Sequence, residues 1–454
     1  MFRTVLVANR GEIALRVQRA CRELGIRVAA VYSTEDRDSM HVRYADEAVL
    51  IGPGPARRSY LNMAAVIEAA IRVGADAIHP GYGFLSEDPD FAEACAAHGI
   101  TFIGPPPEVM RRLADKSAAR AIMAQSGLPV LPGTVEPHSD AGAARDLADH
   151  IGYPVIVKAA AGGGGRGMRV VRDPAQFMSV YRETQANAQS LFNDGTVYVE
   201  RFLDSARHVE VQILCDRHGN GVHLGERDCS AQRRHQKIIE ESPAPGLPAA
   251  LTEEMGRKAI AGALAAGYVG AGTLEFLVDE AHNYHFIEIN CRIQVEHPVT
   301  EMVTGIDLVQ EQLRVAAGQT LRLRQQDVVL RGASIECRLN AEDPTREFAP
   351  TPGLVTEFTA PGGPFTRLDT HCYPGYRVPG SYDSLLAKLV VWAPDREAAI
   401  ARMRRALHEF EVRGDVCTTR DFLLEVLEHP LFAAAKHDTN LVDEIMSLRP
   451  PKSE

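Results

Sequence analysis

Residues 153–171 read YPVIVKAAAGGGGRGMRVV, and GGGGRG at 162–167 fits more than one kind of fold. Four consecutive glycines cost backbone entropy that the fold must recover elsewhere. The run satisfies G-x-G-x-x-G at Gly162, Gly164 and Gly167. A dinucleotide fold needs such glycines between a strand and a helix, so that the helix N-terminus faces the pyrophosphate. Here Met168, Arg169, Val170 and Val171 follow and read as a strand. No Lys-Ser or Lys-Thr completes a Walker A loop either. A hairpin with a glycine-rich tip remains, able to fold over a triphosphate and offer it backbone N–H groups. Lys158, ending the first strand, can neutralise phosphate charge. A plain surface turn could carry the same glycines, so neighbouring sequence has to decide.

Upstream, strand and helix signals alternate. TVLVAN (4–9) reads as a buried strand, and Ile13, Val17, Cys21 and Leu24 then recur at helical spacing before Gly25. VAAVYS, DAIHPG and ITFIGP are further strands, with helices between them, which implies a parallel sheet covered on both faces. GLPVLPGTVEPHSDAGA marks a boundary near residue 130. Downstream, VYVERFL, HVEVQILC, GTLEFLV and YHFIEIN read as strands, mixed with helices around 251–266 and 306–317. Strand-rich sequence and a helix at REAAIARMRRALHEF follow Arg331.

The 454 residues, 45% hydrophobic and 24% charged, suit a globular chain of two to four units. A net charge of -11 argues against nucleic acid as the main partner, but a local basic pocket for an anion remains compatible with it. The eight cysteines are scattered without a C-x-x-C, so neither zinc nor a disulfide framework is expected. No signal-type h-region and no run of about 18 apolar residues occurs, so the expectation is a cytoplasmic protein with no membrane partner.

Two further constellations bear on the glycine run. If 273–278 and 284–290 form a hairpin turning near Ala281 and His282, Glu275 lies opposite Glu288, with Asn290 on the same face as Glu288. Opposed carboxylates repel unless a cation sits between them, and all-oxygen ligands suit Mg²⁺ bridging nucleotide phosphates. ERDCSAQRRHQK then packs Arg233, Arg234, His235 and Lys237 into five residues, and NCRIQVEH adds Arg292, Gln294, Glu296 and His297. Beside a metal and triphosphate site, these offer a pocket for a small anion, with a carboxylate nearby to act as base.

ANRGEIALR, IHPGYGFLSE, KAAAGGGGRGMR, ERDCSAQRRHQK, EINCRIQVEHPVTEM and ECRLNAEDP, in this order, resemble biotin carboxylase, a family of ATP-grasp ligases. The likeness runs from about Arg3 to about residue 446. It implies a doubly wound N-terminal domain at 1–114, an ATP-grasp domain at 115–330 with a lid at about 131–203, and a mixed α+β C-terminal domain at 331–446. It implies ATP-dependent carboxylation of biotin by bicarbonate, through carboxyphosphate. Lys116 and Lys158 match nucleotide-binding lysines, and Gly163, Gly164, Gly165 and Gly167 the phosphate-covering lid. Glu200 and Leu203 match the adenine side, His208 the ribose side, and Gln232, His235 and Lys237 phosphate and anion positions. Glu275, Glu288 and Asn290 match ligands for Mg²⁺ (or Mn²⁺). Arg292, Gln294 and Val295 match the bicarbonate pocket, Glu296 the base, and Arg338, with Tyr82 nearby, the residue that stabilises enolised biotin.

Cys291 and Arg201 depart from the residues common at those positions. No AMKM-type attachment motif and no carboxyltransferase domain appear, so the expectation is a free-standing subunit. Its expected partners are a biotin carboxyl carrier protein, carboxyltransferase subunits and a second copy of itself. Bacterial acetyl-CoA carboxylase is the commonest setting that the resemblance implies. Another ATP-grasp ligase and a catalytically dead nucleotide-binding paralogue are the alternatives.

Overall fold

The computed structural model describes residues 1–134, 140–159 and 167–449. Strands β1 (Thr4–Val7), β2 (Arg27–Ser33), β3 (Glu47–Gly52), β4 (Ala77–His79) and β5 (Thr101–Phe102) form one sheet in the order β3-β2-β1-β4-β5. Every pairing in it is parallel, as the alternating signals predict. All four residues of β1 are buried, because helices cover both faces of a parallel sheet. The helix Gly11–Glu23 turns Ile13, Val17 and Cys21 inward, and Gly25 beyond its end takes φ +70°.

The decisive glycine run does join two antiparallel strands. β6 (Val155–Ala159) pairs with β7 (Met168–Val171), Lys158 opposite Met168, and the Ala159 N–H donates to the Gly167 carbonyl at 2.9 Å. β8 (Val197–Arg201) completes this small sheet on the other side of β6. Gly167 sits at φ +74°, the left-handed region that glycine enters at least cost. Gly163, Gly164 and Gly165 lie outside the described residues. The helices Ala141–Ile151 and Phe177–Phe192 supply Ala144, Ala148, Phe177 and Tyr181 to the core beneath this sheet. Arg201, one of the two departures, donates to the Ile151 and Gly152 carbonyls and so closes the end of the first of these helices.

The site rests on an eight-stranded sheet. Its strands are β9 (Arg207–Cys215), β10 (Gly221–Arg233), β11 (Gln236–Ser242), β12 (Gly270–Val278), β13 (Tyr284–Asn290), β14 (Ala333–Asn340), β15 (Thr366–Thr370) and β16 (Leu385–Ala393). They pair antiparallel in the order β13-β12-β9-β10-β11-β14-β16-β15, so the sheet runs unbroken past Arg331. Its two faces differ. Val209, Val211, Ile213, Leu274, Phe276 and Phe286 point to one side, against Met255, Ala259 and Ala263 of the helix Ala249–Ala265. Each large apolar side chain there contributes about 1.5–3 kcal/mol by leaving water. Alternation then sends Glu210, Gln212, Glu275, Glu336, Arg338 and Lys388 to the other side. That face is also covered: the helix His297–Thr304 lies over it, and its Thr300 hydroxyl accepts from Arg227 at 2.9 Å. Among the described residues no helix is long and apolar enough to cross a membrane.

Candidate active site

The β12–β13 hairpin sets Glu275 directly opposite Glu288, and Thr273 opposite Asn290, as the turn-centred count predicts. One irregularity follows Glu275, so the pairs nearer the turn shift by a residue without disturbing the carboxylates. Burial and the Glu275 charge both push the Glu288 carboxyl upward, with Lys116 opposing them. Among the described residues no cation lies within ion-pair distance of Glu288. Two carboxylates beside an amide, one of them raised by its neighbour, fit a hard divalent cation.

Pairing continues the charged row across the sheet. Glu275 faces Glu210 on β9, and Glu210 faces Arg227 on β10. Glu240 on β11 faces Glu336 on β14, and Arg338 on β14 faces Lys388 on β16. At the centre, Lys237 Nζ donates to Glu210 at 2.6 Å, Glu275 at 3.1 Å and Glu296 at 2.6 Å. Burial would lower the Lys237 pKa, but the three carboxylates outweigh it and hold it well above the usual value. Glu296 is fully buried. Burial pushes its carboxyl up, yet Lys237, Arg338 and Arg227 hold it well below the usual range. Arg338 joins Glu296 at 3.0 Å to Glu240, whose Oε1 accepts from its Nε at 2.6 Å.

Arg292 is held in place from several sides. Its guanidinium donates to Glu87 at 2.8 Å, to Gln294 Oε1 at 2.8 Å and to Asn290 Oδ1 at 3.2 Å. The Gln294 amide reaches Glu275 at 3.2 Å, and Asn290 donates to the same oxygen at 3.0 Å. The backbone N–H of Cys291, the second departure, also donates to Glu87. The Val295 carbonyl accepts from Lys388 at 2.7 Å. Lys388 also lies 3.1 Å from Glu12, whose carboxylate accepts from the Tyr82 hydroxyl, so Tyr82 is tied to the same row.

Lys116, Lys158, Glu200 and Leu203, which the resemblance assigns to the nucleotide, gather around β6 and β8. Lys158 Nζ lies 2.7 Å from Glu200, which also pairs with Arg120. Glu200 therefore spends its side chain on Lys158, a use that the adenine-side match does not include. Lys116 opens the helix Lys116–Gln125, where Asp115 caps the Ser117 and Ala118 N–H groups. Burial and Lys158 lower its pKa, partly offset by Glu288 and Glu200. Leu203 is half-buried just past β8. His208 lies 3.0 Å from Glu275, an ion-pair distance outside hydrogen-bond geometry, which sets it beside the carboxylate pair.

The cationic run divides at the β10–β11 turn. Arg234 and His235 take positive φ there and are exposed, while Gln232 is buried opposite Lys237. Arg233 donates to the Glu347 carbonyl and stacks 4.2 Å over Phe348. Arg234 lies 3.5 Å from the Glu347 carboxylate. These two arginines dock a distant segment, and Lys237 joins the buried carboxylates Glu210, Glu275 and Glu296 without them. Sequence reasoning missed Glu12, Glu87, Arg120, Glu210, Arg227, Glu240, Glu336 and Lys388. Alternation in HVEVQILC is the signal that could have found Glu210 and Gln212, but a polar stripe on a strand ordinarily faces water.

Paired strands on either side of a glycine run, beside a sheet that carries opposed carboxylates, define an ATP-grasp site. Residues 115–324 match the family model described as carbamoyl-phosphate synthase L chain, ATP binding domain. Residues 1–110 match biotin carboxylase, N-terminal domain, and residues 336–444 biotin carboxylase C-terminal domain. A biotin carboxylase from Nostoc sp. is 52% identical over 444 residues, 98% of this chain and 99% of that one. The crystal structure of a biotin carboxylase–β,γ-ATP complex from Campylobacter jejuni is similar at TM-score 0.95 and 49% identity, covering 98% of this chain and 99% of that one. The biotin carboxylase domain dimer of Hydrogenobacter thermophilus 2-oxoglutarate carboxylase, in complex with MgADP, ADP and bicarbonate, is similar at TM-score 0.95 and 45% identity, covering both chains fully. The chain belongs to the biotin carboxylase family: it is an ATP-dependent ligase that uses Mg²⁺ and bicarbonate to carboxylate biotin.

Proposed function

We propose that the charged row works from left to right, nucleotide and metal at the β13 end and biotin at the β14 end, with Glu296 between them. Lys116, Lys158 and the lid glycines take the phosphates, with Leu203 and the Glu200 backbone on the adenine side, and His208 toward the ribose. Gln232 and His235 flank the phosphate path. Glu275, Glu288 and Asn290 hold Mg²⁺ (or Mn²⁺), which when bound offsets phosphate charge. Lys237, Arg292, Gln294 and the Val295 backbone hold bicarbonate. Glu296 takes the bicarbonate proton, and the freed oxyanion attacks the γ-phosphorus of ATP, giving carboxyphosphate and ADP. Carboxyphosphate splits into CO₂ and phosphate. Phosphate removes the biotin N1′ proton, Arg338 stabilises the enolate oxygen beside Tyr82, and N1′ bonds to CO₂.

The observation that carries this reading is Glu296 lying between Lys237 and Arg338 at 2.6 and 3.0 Å. A carboxylate so paired is a weak base. Incoming bicarbonate and phosphate draw the two cations toward themselves and raise its basicity when a proton is there to take. Glu296→Ala tests it: ATP binding stays within a few-fold while bicarbonate-dependent turnover falls by at least about 10²-fold. Unchanged turnover would remove Glu296 from the chemistry.

We assign the biotin to a separate carrier protein, the later transfer to carboxyltransferase subunits, and the working form to a homodimer in the cytoplasm. The dimeric Hydrogenobacter relative supports the last assembly. Acetyl-CoA carboxylase is the setting we favour, although that relative serves 2-oxoglutarate carboxylase, so the acceptor is chosen outside this chain. We keep domain limits at 1–114, 115–330 and 331–446; the separate three-stranded sheet supports a lid at about 131–203, while the eight-stranded sheet crosses residue 331.

A further inference from the structure

Behind Arg338 lie two glutamates that this scheme does not use. Glu240 on β11 and Glu336 on β14 are paired across the antiparallel register, and both are 0% exposed. Glu240 Oε1 accepts from Arg338, while Glu240 Oε2 and both Glu336 carboxylate oxygens have no hydrogen-bond partner. The charged groups facing the pair are Arg338, Glu296, Lys237 and Lys388. Lys388 is committed to the Val295 carbonyl and Glu12, and Lys237 to three other carboxylates. Two neighbouring buried carboxylates with three unpartnered oxygens do not both ionise readily; a shared proton relieves the repulsion and satisfies two of those oxygens.

We propose that Glu240 and Glu336 share one proton at working pH and act together as the positioning group of Arg338. Glu240 fixes the guanidinium, and the proton keeps the pair from offsetting the charge that Arg338 turns toward enolised biotin. This rests on the reading that Arg338 faces biotin. Burial raises both carboxyls. Arg338 opposes the rise at Glu240, which reaches about 7, and Lys388 opposes it at Glu336, which stays well above the usual range. One proton of the pair therefore leaves to solvent near neutrality, giving the singly charged form, and the other leaves at higher pH.

The test compares biotin-stimulated with biotin-independent, bicarbonate-dependent ATP hydrolysis across pH, in wild type, Glu240→Gln and Glu336→Gln. Their ratio cancels steps common to both rates. In wild type it rises through about pH 7 and falls again in alkali. Glu336→Gln keeps the acid limb and loses the alkaline one, because that pair cannot become doubly negative. Glu240→Gln lowers the ratio about tenfold and loses both limbs. Parallel loss of both rates in Glu240→Gln, or an alkaline limb unchanged in Glu336→Gln, would overturn the proposal. If neither variant folds, the infrared carbonyl band of a protonated carboxyl in the wild-type protein decides. The proposal needs this band above neutral pH and needs it to shift on adding biotin; a band absent or indifferent to biotin overturns it. A wild type that biotin does not stimulate at all overturns instead the assignment of Arg338 to biotin.

Discussion

Lys237 donates to three carboxylates at once, so an anion bound there, as we propose, must displace a glutamate from it. The same competition governs Arg338, held between Glu240 and Glu296. Such pairs keep cations desolvated and aimed, and they yield to a ligand that brings more negative charge. Arg338→Ala separates the two halves of the chemistry. Biotin-stimulated turnover falls about 10²-fold or more, whereas biotin-independent ATP hydrolysis falls much less; equal losses, measured in the same assay, would mean that the residue merely supports the fold. The hairpin carboxylates and the cationic run were legible one by one, because charged side chains stand out beside apolar strands. Lys116, Glu200, Leu203, His208, Gln232, Arg338 and Tyr82 came only with the family resemblance. Their partners were not legible. Glu87 and Glu240 gain meaning only from Arg292 and Arg338, which are 205 and 98 positions away.

At the scale of elements, the Glu275–Glu288 pair was readable from the sequence because a hairpin fixes register by counting from its turn. The division of the cationic run was not, since periodicity says nothing about which side of a turn finds a distant partner such as Phe348. Nor did alternation show that the helix His297–Thr304 would cover the polar face, which turns an ordinary solvent stripe into a buried charged row. The opposed carboxylates also predict a trade between stability and function. Glu288→Gln removes a like-charge cross-strand pair, so the metal-free protein gains up to about 1 kcal/mol in urea denaturation. Mg²⁺-dependent ATP hydrolysis should fall at least tenfold in the same variant. A variant that is both less stable and fully active would contradict the assignment of this pair to the cation.

Across the whole molecule, buried ion pairs and aromatic contacts tie the first sheet's unit to later parts of the chain. Arg10, just before the helix Gly11–Glu23, donates to Asp36 with Nε and Nη2, each at 2.7 Å, reaches Tyr376 at 3.2 Å and stacks 4.4 Å from the Tyr382 ring. Arg16 joins Glu301 and Asp307 at 2.7 Å each, and Arg367 joins Glu301 from the other side. Burial pushes Asp36 up, but Arg10 outweighs it and the carboxyl lies far below its ordinary value. A carboxyl depressed by folding stabilises fully above its unfolded pKa of about 3.9, and that stability is lost as pH falls toward the folded value. Asp36→Asn leaves Arg10 buried without its partner and should cost about 3–5 kcal/mol at pH 7. The deficit against wild type should shrink below about pH 4. Urea denaturation at the two pH values checks this; a constant deficit would mean that the loss is not electrostatic.

ATP hydrolysis by the purified chain should be measured with Mg²⁺, with bicarbonate and free biotin each added or withheld. The arrangement from Glu288 to Arg338 predicts hydrolysis that requires bicarbonate and rises when biotin is present. Hydrolysis indifferent to both would contradict it, because Glu296 and Arg338 would then have no substrate to act on.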